Sequence, residues 1–155
     1  MHDFSDLLSP DGVLIDVAAA NKKQVFQQLG TVAGQCFGVD PRAVIDRLGA
    51  RERLGSTGFG GGVAIPHARI DGLDQVSGVF VRLAHPIGFE SVDDLPVDLI
   101  FALLSPPDAG ANHLKALARV SRQLRDRGFL AKLRGAGSRD ALFALFSADA
   151  ARDAA

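Results

Sequence analysis

Of the four histidines in this chain, His67 stands where an imidazole could do chemistry. It closes the run Gly58-Phe59-Gly60-Gly61-Gly62-Val63-Ala64-Ile65-Pro66-His67. Glycines let backbone N–H groups approach a ligand closely, because no Cβ intervenes. The apolar run Val63 to Ile65 reads as a buried strand end. Pro66 fixes φ and removes a donor, so the strand is expected to end or leave the sheet there. That puts His67 at a rigid strand-to-loop junction. An imidazole held in place near neutral pH can act as nucleophile, base or ligand.

The company of His67 suits an anion. Arg51 lies on the end of the preceding helix, Ser56 and Thr57 open the glycine loop, and Arg69 follows closely. Guanidinium and hydroxyl groups bind phosphate, and the loop amides of Gly60, Gly61 and Gly62 add donors. His113 is expected in the first turn of a later helix, after Pro106-Pro107 and Gly110-Ala111. A helix N-terminus favours anions and disfavours an imidazolium, so His113 would stay neutral with one hydrogen bond to give. Other chemistries fail on spacing. The glycine loop has no Lys-Ser/Thr ending, Val63 stands where a dinucleotide fingerprint needs its third glycine, and no Gly-x-Ser-x-Gly elbow occurs. His2, His67, His85 and His113 show no metal-ligand spacing, which leaves a zinc site to tertiary coincidence.

Plainer roles fit the same residues. His67 could be a loop residue, Arg51 beside Glu52 a solvated helix face, Ser56-Thr57 turn chemistry and Gly60 to Gly62 a bulge. Cys36 falls in an apolar helical stripe and reads as core, and His85 before Pro86 as an exposed turn residue.

These residues need elements to position them. Val13-Leu14-Ile15 is short and β-branched, and reads as a strand after the turn Ser9 to Gly12. From Ala18 to Phe37, apolar residues recur at helical spacing until Gly38 stops them. Asp40-Pro41 supplies an N-cap and N1 proline for a second helix, which carries Val44, Ile45 and Leu48 and ends near Gly55. Val76 to Leu83 and Val97 to Leu104 read as core strands, punctuated by Pro86, Pro96 and Pro106. Asn112 is placed as the cap of a helix through Leu124, and Ser138 as the cap of a last helix with Leu142, Phe143 and Phe146. Helices and strands interleave, so the class is α/β with a mostly buried sheet. One domain is expected over residues 1–155, with a core from about 7 to 146 and a frayed tail from 148 to 155.

A net charge of −1 argues against a general nucleic-acid binder. No apolar run is long enough to span a bilayer, and Met1 to Asp6 lacks the basic start of a signal peptide. A single cysteine cannot form an internal disulfide, and these features together favour the cytoplasm. Composition and spacing alone reach an α/β domain with a candidate anion site.

The stretch from Arg51-Glu52-Arg53-Leu54-Gly55-Ser56-Thr57-Gly58 through Ala64-Ile65-Pro66-His67 resembles the active-site motif of fructose–mannitol-type enzyme IIA domains of the bacterial phosphotransferase system, and within them the nitrogen-regulatory branch. Pro86 to Phe89, Pro96 to Phe101 and His113 to Ala118 continue the likeness, which covers about Leu7 to Phe146. The resemblance implies a mixed β-sheet flanked by helices. It implies that His67 accepts a phosphoryl group from an HPr-type phosphocarrier protein, without cofactor or metal, and that Arg51 and His113 are the partner residues. Regulatory target proteins, which the sequence does not identify and which could include a membrane transporter, would read the phosphorylation state. Phe59 could touch the carrier. Ala68 and Gly61 depart from the family pattern, which often has glycine and a polar residue there. The absence of attached IIB, IIC or HPr segments favours the regulatory role over a sugar-transport IIA that passes phosphate to a IIB domain, and over a non-catalytic binding module of the same fold.

Overall fold

The computed structural model describes residues 3–147. The expected tail from 148 to 155 and His2 lie outside them. Six strands form one mixed sheet: β1 (Val13–Val17), β2 (Gly58–Gly60), β3 (Val63–Ala64), β4 (His67–Arg69), β5 (Ser77–Ile87) and β6 (Val97–Ser105). The order is β1-β5-β6-β3-β2, and β4 also pairs with β6. β5 and β6 run antiparallel, whereas β3 and β4 run parallel to β6 one after the other, and β1 runs parallel to β5. β6 is buried along nearly its whole length, as a strand covered on both faces must be.

Five helices cover the sheet: α1 (Lys22–Phe37), α2 (Pro41–Arg53), α3 (Ala111–Gln123), α4 (Arg127–Gly135) and α5 (Arg139–Leu145). The core divides by face. One cluster joins Val25, Phe26 and Leu29 of α1 and Val44 and Leu48 of α2 to Val79, Val81, Ile100 and Ala102 of the sheet. The other joins Val120 of α3, Leu133 of α4 and Leu142 of α5 to Phe80, Leu99, Phe101 and Leu103. The alternation of partners along β5 and β6 is the period of two expected of strands.

Several boundaries differ from expectation, each for a local reason. α1 begins at Lys22 rather than Ala18, because the Asn21 side chain accepts from the Gln24 N–H and starts the helix there. Gly38 ends it in the left-handed conformation at φ 70°, as expected of a terminating glycine. Asp40 and Ser138 cap α2 and α5 as expected, but Asn112 lies inside α3, whose N-cap is Gly110. α4 was not anticipated; Asp126 caps it. His85 sits within β5, exposed, and not in a turn. Cys36 is half-buried at the edge of the first core cluster rather than inside it.

The glycine run is not a loop but a hairpin. β2 and β3 pair antiparallel with an irregularity between Gly58 and Gly60, and Gly60, Gly61 and Gly62 turn the chain with φ of 110°, 67° and 82°. Only glycine takes such values in succession without strain.

Candidate functional site

β3 and β4 form two short ladders on β6, with Ile65-Pro66 between them. Val63 stands opposite Leu99 and His67 opposite Leu103. Pro66 has no N–H to give, and its carbonyl accepts from the Leu103 N–H at 2.9 Å. The Ile65 N–H turns the other way, to the Thr57 carbonyl at 3.1 Å. His67 therefore opens a strand rather than a strand-to-loop junction. Its backbone is fixed on both sides of the proline.

The half-buried His67 ring places Nδ1 at 2.8 Å from the Ile65 carbonyl oxygen. A carbonyl only accepts, so Nδ1 carries the proton and Nε2 keeps its lone pair. The buried His113 ring lies beside it, with centroids 5.7 Å apart and planes at 52°. His113 Nδ1 lies 2.5 Å from Oγ of the fully buried Ser105, the last residue of β6. Burial pushes both imidazoles below their ordinary pKa. For His67 the Arg51 charge adds to this, against the Ile65 bond and Glu52, which raise it. For His113 the Arg69 charge and His67 add to it. The site thus holds two imidazoles biased towards neutrality, with cationic Arg51 and Arg69 in electrostatic reach. Arg51 Nη1 donates to the Gly55 carbonyl at 2.8 Å, which folds its guanidinium back over the end of α2.

The hydroxyls expected to bind an anion are otherwise engaged. Ser56 Oγ donates to the Phe89 carbonyl at 2.6 Å and accepts from the Gly58 N–H at 3.1 Å. Thr57 Oγ1 donates to Glu52 Oε1 at 2.6 Å, and the Thr57 N–H points at the same carboxylate. Both residues shape the α2–β2 link and do not turn their protons towards His67. Gly60, Gly61 and Gly62 stand at the far end of the hairpin. Four strand positions separate Val63 from His67 along β6, about 13 Å at the usual rise. The Gly61 N–H is taken by Asp93 Oδ2 at 3.0 Å, and the Gly61 carbonyl by Arg134. Phe59 is half-buried against the second core cluster with the Arg125 guanidinium 5.8 Å from its ring, in a groove that Leu124 and Leu130 also line. It anchors the hairpin.

Of the residues singled out in the sequence, the structure brings the His67 and His113 rings together and leaves Arg51 in electrostatic reach; Glu52, beside them, has no signal in the sequence. Its buried carboxylate accepts from Thr57 and pairs with Lys22 Nζ at 2.8 Å. Burial alone would raise its pKa, but the bonds from Lys22 and Thr57 outweigh that and hold it below its ordinary value. Ala68 pairs with Leu104 in ordinary strand geometry, so the methyl group restricts nothing there.

Residues 6–149 match the family described as the phosphoenolpyruvate-dependent sugar phosphotransferase system, EIIA 2. The chain is 44% identical to the nitrogen regulatory protein of Bradyrhizobium diazoefficiens, over 93% of this chain and 94% of that one. It is 37% identical to the nitrogen regulatory protein of Escherichia coli K12, over 93% and 89%. The crystal structure of nitrogen regulatory protein IIA-Ntr from Neisseria meningitidis superposes with a TM-score of 0.85 at 34% identity, covering 91% of this chain and 97% of that one.

Proposed function

The chain belongs to the EIIA 2 family of the phosphoenolpyruvate-dependent sugar phosphotransferase system and is similar over nearly its whole length to nitrogen regulatory proteins, and on that premise we propose that it carries a phosphoryl group on His67 Nε2 as a regulatory signal. The observation that carries this reading is the 2.8 Å contact of His67 Nδ1 with a backbone carbonyl. It leaves one ring nitrogen with a free lone pair, in a half-buried ring biased towards neutrality.

The donor is a phosphohistidine on an HPr-type carrier. The Nε2 lone pair attacks phosphorus in line as the P–N bond to the donor ring breaks, and the donor imidazole departs with that electron pair. The new P–N bond leaves positive charge on the His67 ring, and the Ile65 carbonyl oxygen facing Nδ1–H stabilises it. Such a transfer asks for positioning and charge stabilisation more than for covalent help. The His113 ring lies 5.7 Å from the His67 ring, centroid to centroid, and the Arg51 charge acts on the His67 imidazole. Arg51 would leave the Gly55 carbonyl to meet equatorial oxygens, and His113 would orient the group from the other side. Leu114, 66% exposed and next to His113, offers the carrier an apolar contact. The likeness to nitrogen regulatory proteins favours a state-reporting role over onward transfer to a IIB domain, and the reaction belongs in the cytoplasm with its donor.

Incubation of the purified chain with phosphoenolpyruvate, enzyme I and an HPr-type carrier should add one acid-labile phosphoryl group by intact mass, absent in His67→Ala. A phosphoryl group on His67→Ala, or none on the wild type with cognate carriers, would overturn the reading. Offering the labelled chain a IIB domain separates the two roles, since a sugar-transport IIA would lose its label to it.

A further inference from the structure

The tautomer of His67 is not set by Ile65 alone. The residue that carries the carbonyl facing Nδ1 is tied down one peptide earlier, where the Ile65 N–H donates to the Thr57 carbonyl at 3.1 Å, and the Pro66 ring limits rotation on the other side. Thr57 lies in no strand; it is the last residue of the link between α2 and β2. Its place is fixed by Glu52, which takes its Oγ1–H at 2.6 Å and its N–H at 3.1 and 3.2 Å. The carboxylate is held by Lys22 of α1, thirty positions earlier, at 2.8 Å. Lys22 is steadied by the Phe89 ring, 4.8 Å away, and by Glu90 at 3.2 Å.

We propose that Glu52 and Thr57 are positioning residues for phosphoryl transfer: through the backbone of Ile65 they hold His67 as the Nδ1–H tautomer and so select Nε2 as the acceptor atom. This rests on the phosphocarrier reading for its consequence but not for its test. A two-oxygen anion is the group that can do this. It accepts both Thr57 donors while receiving Lys22, and a neutral amide cannot face three donors at once. Thr57 is needed for its side-chain donor together with its backbone carbonyl. Valine keeps the shape and loses the link to the carboxylate.

The experiment reads imidazole ¹⁵N shifts of His67 in the unphosphorylated chain, above its titration range, in wild type, Glu52→Gln, Thr57→Val and Thr57→Ser. Wild type and Thr57→Ser should show a protonated Nδ1 and a pyridine-type Nε2. Glu52→Gln and Thr57→Val should move both nitrogens towards a mixed-tautomer average. With the carrier supplied, the same two variants should phosphorylate roughly 10- to 100-fold more slowly, the cost of a misplaced reactive atom. Their KM for the carrier should hold, and a fraction of product should appear at Nδ1. An unmixed Nδ1–H tautomer in both variants, with all product at Nε2, would overturn the proposal and leave Glu52 a purely structural residue. If Glu52→Gln does not fold, Thr57→Val, which keeps the backbone bonds, decides alone. Failure of the chain to accept a phosphoryl group would overturn the phosphocarrier reading while the tautomer result stood.

Discussion

His67 gains its neutrality from burial first and from the Arg51 charge second, and this gives acceptance a defined pH profile. Its pKa lies below the ordinary 6.5. The lone pair is therefore available on most molecules above pH 6.5. The rate of phosphoryl acceptance should fall with acid with its midpoint below pH 6.5, once the donor's own titration is measured separately. A midpoint at or above pH 6.5 would contradict the site as described. Folding stability follows the same sign. The unfolded chain binds the proton more readily than the folded one, so both histidines add stability above their unfolded pKa, and it is lost as pH drops below about 6.5. Arg51→Ala should slow acceptance by about 10²-fold, the loss of one charge-stabilising donor, and should move the His67 titration upward. Stopped-flow quench and NMR titration of the ring read the two effects. Residue types and spacing, with the family resemblance, single out Arg51, His67 and His113, and the structure sets the two imidazoles side by side. Types and spacing were not enough for Glu52, since a carboxylate beside an arginine at a helix end looks solvated until Lys22 and Thr57 close over it.

Caps and close approaches decide the elements. The Ser138 hydroxyl accepts from the Ala141 N–H at the start of α5, whereas Asn112 lies past the start of α3 and caps nothing. Ser138→Ala should cost about 1 kcal/mol and Asn112→Ala much less, by urea denaturation. Equal losses would mean the two helix starts are alike. Between α1 and α2 the limit is space. A Cβ on Gly30 would stand 2.7 Å from Ile45 Cγ1 and 2.8 Å from the Pro41 carbonyl. Gly30→Ala should therefore destabilise by about 1–3 kcal/mol, although alanine is the better helix former. Periodicity and cap chemistry made α1, α2 and α5 legible. α4 was hidden by its length and by Gly128 and Gly135, though Asp126 ahead of Phe129, Leu130 and Leu133 was a signal to be read. Arg82 completes α4 from the sheet, donating to the carbonyls of Leu133, Arg134 and Ala136, and no local pattern announces such a contact.

Across the whole molecule the α/β class was legible from interleaved helices and strands, while strand order was not. β4 is three residues long and pairs with a strand thirty-odd positions later, and no hydrophobic period reports that. The face opposite α1 and α2 is closed by rings. Phe146 touches Phe4, Phe80, Phe101 and Phe129, with centroids 5.0 to 5.9 Å apart, and its carbonyl accepts from the Phe4 N–H. Phe146→Ala should cost about 3–5 kcal/mol and loosen both ends of the described chain together, seen as faster amide exchange at Phe4 and Leu142. The placement of His67 in a ladder on β6 has a consequence of another kind. A carrier whose acceptor sits in a mobile loop can announce its state by ordering that loop. Here the backbone around the ring is already bonded to the central strand, so a phosphoryl group has little local shape left to change. What a listening protein would meet is the same surface with a different potential. Its preference for one state should then fade as ionic strength rises, and a neutral phosphoryl mimic should pass for the unmodified form.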